Sequence, residues 1–224
     1  MLLVHGLASS FEHNWRAAGW ADLLAEEGRA VIGVDLPGHG RMSGQDPAAT
    51  SPAQAVLAAL EGHERADAVG FSAGGQAVLG AAAAAPQRFR RIAVLGVGDR
   101  TFMPPPGAGA SPGEAFAAAL ESDDEPPPGT FALIIRRLAE SAGNDRHAVA
   151  AFVRARHDRV TLSDLTRITA PALLVLGDRD FAAPADELRA ALPGAELVTL
   201  RGVDHFATPS AYACIDAVLR FLGQ

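Results

Sequence analysis

Six short apolar runs, each of strand length, alternate along this chain with stretches of helical periodicity. The runs lie at residues 1–4, 30–34, 66–71, 91–97, 172–176 and 196–200, most of them bounded by Gly, Pro or Asp. Between them, Trp20, Leu23 and Leu24 share one helical face before Gly28, and Val56, Leu57 and Leu60 share another before Gly62. Leu188 and Leu192 follow Pro184, which reads as a first helical residue, and the last helix is expected to bury Tyr212, Ile215, Val218, Leu219 and Leu222. Runs without alternation are buried on both faces. This rhythm predicts an α/β fold with a mostly parallel central sheet and helices on both sides.

The rhythm stops between residues 99 and 169, where no strand-like run occurs and proline clusters at 104–106 and 126–128 separate helical segments. The expected organisation is one domain over residues 1–224: a core of 1–98 and 170–224, and a helical cap or lid at 99–169. Long insertions into compact domains are often functional. There is no internal repeat.

Composition narrows the chemistry. All 19 basic residues counted with lysine are arginines, which removes Schiff-base catalysis, lysine-anchored pyridoxal phosphate and the P-loop lysine. Cys214 is the single cysteine, so it forms no internal disulfide and supplies no thiolate cluster alone; in the last helix it reads as a small buried apolar group. A formal net charge of −7 with scattered arginines argues against a nucleic-acid partner. No apolar run approaches a membrane span and no signal peptide is evident, so the reading is a soluble cytoplasmic protein with no membrane partner.

The strongest local signal is Gly70-Phe71-Ser72-Ala73-Gly74 between a predicted strand and a predicted helix. A sharp strand-to-helix turn crowds the backbone, so small residues flank a serine that projects at the carboxyl end of the sheet. A dinucleotide-binding turn would need glycine where Ser72 stands. Serine is too weak an acid to attack a carbonyl unaided. It needs an imidazole base held by a carboxylate, and two later strands run into Gly177-Asp178-Arg179-Asp180 and Gly202-Val203-Asp204-His205 at the same sheet edge. Ser72, Asp180 and His205 follow the order Ser, Asp, His. His39 reads as structural; His13, His63, His147 and His157 read as surface residues, Asp204 as solvated, and no cluster suits a metal.

Together with the His5-Gly6 turn and the turn from Asp35 to Gly40, these pieces make the chain resemble the alpha/beta-hydrolase fold family over nearly its whole length. The resemblance implies Ser72 as nucleophile, His205 as base then acid, Asp180 rather than Asp178 as the orienting acid, and the Leu7 and Ala73 backbone N–H groups as the oxyanion hole. The implied function is a cofactor-independent serine hydrolase that cleaves a small to medium hydrophobic ester, thioester or related acyl compound through an acyl-enzyme. Carbon–carbon hydrolysis or perhydrolysis on the same triad is the alternative, and a catalytically weak ligand-binding or scaffold protein is the alternative of another class. Dehalogenase-like and epoxide-hydrolase-like relatives carry Asp where Ser72 stands, which disfavours those reactions. Phe102, Met103, Phe131, Ile135 and Phe152 of the insertion are the candidate pocket residues. Family members usually carry two strands ahead of the one that ends in His-Gly. Their absence would leave the strand at 30–34 as an edge with only Arg29 and Asp35 for charge, so the expectation is an upstream start or a homodimer paired on that edge.

Overall fold

The computed structural model describes residues 1–103, 112–155 and 160–223. Its elements in chain order are β1 (Leu2–Val4), α1 (Trp20–Glu26), β2 (Ile32–Val34), α2 (Pro52–Ala58), β3 (Ala66–Phe71), α3 (Ala73–Ala84), β4 (Phe89–Leu95), α4 (Pro112–Glu121), α5 (Phe131–Ser141), α6 (Arg146–Arg154), α7 (Leu162–Leu165), β5 (Ala172–Gly177), α8 (Asp186–Ala191), β6 (Glu196–Leu200) and α9 (Tyr212–Gly223). The strands form one sheet in the order β2-β1-β3-β4-β5-β6, and every ladder is parallel. The chain turns outward to β2 after β1 and to the opposite side with β3. Strand order therefore reverses between β1 and β3, and a crevice opens there at the carboxyl ends of the strands.

Side chains alternate across the sheet as the pleat requires. Leu2, Val4, Ala68, Ile92, Val94 and Leu174 face one layer with α2, α3, α7 and α8, while Leu3, Val69, Ala93, Leu95 and Val175 face the other with α1 and α9. Both faces are dry. Each large apolar side chain so buried is worth about 1.5–3 kcal/mol relative to exposure. A third, smaller cluster, Ala117, Leu120, Ile135, Ala139, Val149 and Ala150 with Ala8, joins α4, α5 and α6 to the loop after β1.

Three expectations change. Tyr212 is 84% exposed, and α9 instead buries Cys214, Ala217, Val218, Phe221 and Leu222. Burial pushes the Cys214 thiol up to about 12, as befits an inert apolar filler. Pro184 lies outside α8, whose N-terminus is capped from a distance: the Asp99 carboxylate accepts the Glu187 and Leu188 N–H groups at 3.2 and 2.8 Å. β4 begins and ends two residues earlier than its apolar run, because Gly96 turns the chain with a φ of +65°. The prolines at 104–106 and His157 lie outside the described residues.

β2 is the edge strand, and a further charge guards it. Arg41 donates to the Gly33 carbonyl at 2.6 Å and to Asp35 at 2.9 Å, whereas Arg29 is turned inward to Asp67 and the Leu222 carbonyl. An arginine on an outward carbonyl removes one of the groups that a foreign strand would pair with.

Candidate active site

Ser72 directly follows β3 with a φ of +52° and ψ of −115°, outside the regions that L-residues favour. Such a conformation costs about 1–3 kcal/mol and persists only where the surroundings over-determine it. Here they do: the Ser72 N–H donates to the Leu95 carbonyl at 2.8 Å. A Cβ on Gly70 would stand 2.4 Å from the Gly74 carbonyl oxygen, and one on Gly74 would stand 2.3 Å from the Val4 carbonyl oxygen. The two glycines let α3 start against β1 and β3 while the serine side chain projects into the crevice.

The Ser72 Oγ lies 3.0 Å from His205 Nε2, and His205 Nδ1 lies 2.9 and 3.0 Å from the two carboxylate oxygens of Asp180. With Nδ1–H donating to Asp180, Nε2 is left to accept the serine proton. Asp180 is buried and also accepts the Ala182 N–H at 2.8 Å. The loops after β5 and β6 are clamped together by Asp178, whose carboxylate accepts the Gly202 N–H at 2.7 Å, and by the Arg179 N–H on the Val203 carbonyl. Asp204 is exposed, and its carboxylate accepts the Ala207 N–H three residues on at 2.9 Å rather than reaching His205. The structure therefore brings Asp180, and neither Asp178 nor Asp204, to His205.

Aromatic rings surround that imidazole. Its centroid lies 4.2 Å from Phe181, 5.0 Å from Phe71 and 5.3 Å from Phe206. Phe131 of α5 packs over Phe116, Phe181 and Phe206. Ring faces and edges exclude water, and a face favours a neighbouring cation.

The loop after β1 is held by reciprocal ties. His5 Nε2 accepts the Leu36 N–H at 2.9 Å, and His39 Nε2 accepts the Ala8 N–H at 3.1 Å, so each loop donates to the other's imidazole. Both bonds require neutral rings, and burial lowers both histidines: His5 is lowered to about 3, by desolvation and then by its neighbour His39, and His39 falls mainly by desolvation. Burial would raise Asp35, but hydrogen bonds from the Phe11 N–H and from Arg41 outweigh it and hold the carboxyl below its ordinary value. Asn144, between α5 and α6, completes the lock by accepting the Gly40 N–H and donating to the Ala8 and Ser9 carbonyls, all at 2.8 Å. Ala8 is thereby fixed at a φ of +64°. Among the described residues, the N–H groups of Leu7 and Ala73 have no protein acceptor, and both residues line the crevice beside Ser72. Ala73 is the first residue of α3, where orphan N–H groups and the helix dipole favour negative charge.

Two cavities meet at Ser72 and His205. The larger, about 570 Å³, is lined by Met103, Phe116, Phe131 and Phe152; the smaller, about 350 Å³, by Ile135, Phe131, Phe206 and the polar His13 and Asn14. Four of the five candidate pocket residues thus face one cavity or the other. Phe102 lines neither; it packs against the core cluster on the α2–α3 side of the sheet. His13 is not a surface residue but half-buried, between the hydroxyls of Ser9 and Ser141 at 3.2 and 3.3 Å. Sequence reasoning gave no site role to Phe116, Phe181, Phe206, Gln76 and Arg100. Phe181 and Phe206 had a usable signal, since each directly follows a proposed triad residue. Among the described residues no group of three or more His, Cys, Asp or Glu is placed to hold a metal, and no helix is long and apolar enough to cross a membrane.

Comparison with known proteins agrees with this architecture. A hydrolase from Pseudomonas aeruginosa PA01 superposes with a TM-score of 0.73 at 26% identity, covering 100% of this chain and 89% of the other. A bromoperoxidase from Bacillus anthracis gives 0.76 at 22% identity, covering 100% and 91%, and an enol-lactonase from Burkholderia xenovorans LB400 gives 0.75 at 20%, covering 100% and 90%. No curated protein matches the sequence. The profile of the alpha/beta hydrolase family matches residues 1–216, and with the sheet order and the serine turn in place the chain belongs to that family.

Proposed function

We propose that the protein is a serine hydrolase that cleaves an ester or related acyl compound through an acyl-enzyme, with Ser72, His205 and Asp180 as its catalytic triad. The observation that carries this reading is the hydrogen-bonded line from Ser72 Oγ through His205 to Asp180 at 3.0 and 2.9 Å, beside two N–H groups without acceptors among the described residues. As Ser72 attacks the acyl carbon, its proton passes to His205 Nε2, and Asp180 stabilises the resulting imidazolium. The carbonyl oxygen gains charge toward the Leu7 and Ala73 N–H groups, an oxyanion hole whose loop is pinned before substrate arrives. His205 then protonates the leaving group, and the same imidazole activates water against the acyl-enzyme.

The two cavities divide the substrate between them, one for each side of the scissile bond. In this reading α4, α5 and α6 act as the cap: Phe116, Phe131 and Phe152 supply an apolar roof that keeps water from the acyl-enzyme and sets chain-length preference. Stopped-flow hydrolysis of 4-nitrophenyl esters of increasing acyl length tests the proposal. A burst of nitrophenol near one equivalent of enzyme, followed by slower turnover, is the expected record. Absence of turnover across the series from a folded protein points instead to a binding or scaffold role.

A further inference from the structure

Among the described residues that line the larger cavity, Arg100 is the one charged side chain apart from the triad imidazole, and none is Asp or Glu. The guanidinium has no carboxylate partner among the described residues; Nη1 approaches the Phe181 carbonyl at 3.4 Å, long for a hydrogen bond. Its sequence neighbour Asp99 does not neutralise it, because that carboxylate is committed to the N–H groups of Glu187 and Leu188. Arg154 on α6 shows the opposite arrangement, being bound by both Glu114 and Glu121.

The backbone beneath Arg100 is fixed. The Asp99 N–H donates to the Pro184 carbonyl at 2.6 Å and the Arg100 N–H to the Ala182 carbonyl at 3.3 Å. A Cβ on Gly98 would stand 2.2 Å from the Ala182 carbonyl oxygen, so this turn packs backbone to backbone against the loop that carries Asp180. A planar guanidinium on a rigid base, exposed at rest and facing an apolar chamber, is suited to a bidentate carboxylate. We infer that Arg100 is an anion subsite of the larger cavity and that the substrate carries a carboxylate on the part lodged there. Among the described lining residues a single cation matches a monoanion, and none of them answers the second charge of a phosphate. The negative charge of the whole chain, −7, works against anions at long range, so any preference for them arises locally.

This inference rests on the hydrolase reading, and two measurements separate their failures. In the first, kcat/KM is compared for matched pairs with the anion on either side of the bond: 4-nitrophenyl hemiglutarate against 4-nitrophenyl pentanoate, and 4-acetoxybenzoate against 4-acetoxybenzamide. In one pair, R100Q is expected to lower the anionic-to-neutral ratio about tenfold, chiefly through KM. That size lies between an exposed ion pair and a buried charge-assisted hydrogen bond. R100K should fall between wild type and R100Q, since it keeps the charge and loses the fork. Ratios unchanged within twofold in both pairs overturn the proposal. In the second, S72A is titrated calorimetrically with hexanoate and with hexanamide. The acid should bind more tightly, and the difference should vanish in S72A/R100Q. Equal binding of acid and amide to S72A overturns the subsite while ester turnover by the wild type stands. A carboxylate preference in a protein that turns over no ester upholds the subsite and refutes the hydrolase reading.

Discussion

The rim of the sheet and the helices above it are held by different forces. At the rim, buried polar groups find specific partners: His5 with Leu36, His39 with Ala8, Asp180 with His205, and Asn144 with three backbone groups of two loops. Over it, α4 to α6 share a small apolar cluster and are tied by arginine–carboxylate pairs in contact with solvent. Paired buried groups are intolerant of loss, because the partner left behind is desolvated and unsatisfied. Apolar contacts and exposed ion pairs yield by degrees. On the proposed function, the difference teaches where each property would reside: reactivity in the part that cannot shift, selectivity in the part that can.

The largest break in that contrast comes from the triad. S72A and H205A should each reduce kcat by about a million-fold if the three residues act as a unit, and D180N by about ten-thousand-fold as in comparable triads. Thermal unfolding of S72A should stay at or above that of wild type, since the strained turn needs no hydroxyl. D178N should leave the rate within a few-fold and lower stability instead, because its carboxylate clamps a backbone N–H of the neighbouring loop.

Acid sharpens the contrast next. His5 and His39 have folded pKa values below their ordinary 6.5, so the unfolded chain binds more protons and stability falls as pH drops below about 6.5. From pH 7 to 5.5 the His5 imidazole, held near 3, should remove a little over 1 kcal/mol, and His39 adds to the loss in the same direction. Urea unfolding at the two pH values measures it, and H39Q should show a weaker dependence than wild type. A flat profile would mean that these rings are not held neutral.

N144A tests whether the cap side reaches the reactive side. It strands the Gly40 N–H and two carbonyls, and should lose about 2 kcal/mol or more of stability. Loosening the loop that presents the Leu7 N–H should lower kcat about tenfold, short of the hundred-fold or more that loss of an oxyanion donor itself costs. A change in KM alone would make Asn144 a packing residue. The smallest effects belong to the roof: F131A and F152A should shift the optimum acyl length by a carbon or two and change acetate-ester rates only a few-fold, read from kcat/KM across a 4-nitrophenyl series.

Much of this architecture was legible in the sequence because period and turn chemistry act locally. β3 and β6 fall where their apolar runs lie, and Ser72 sits where small residues flank a strand end. Other features depend on partners far along the chain. Asp99 caps a helix 88 residues later, Asn144 bonds to a loop 136 residues earlier, and Arg41 guards an edge that exists only once the sheet is assembled. Tyr212 fits the apolar pattern of α9, yet the helix begins beyond the sheet's cover and leaves the ring in solvent. Phe102 and Phe152 look alike in sequence, and only packing turns one toward the core alone and lets the other reach the cavity.

The most direct test of the account is the site and rate of covalent labelling by a fluorophosphonate, followed by intact mass and peptide mapping. A single adduct on Ser72 is expected, none in S72A, and a rate lowered by several orders of magnitude in H205A, because the hydroxyl then lacks its base. An adduct on another residue, or a folded wild-type protein that takes up no label, would contradict the assignment of Ser72 as the nucleophile.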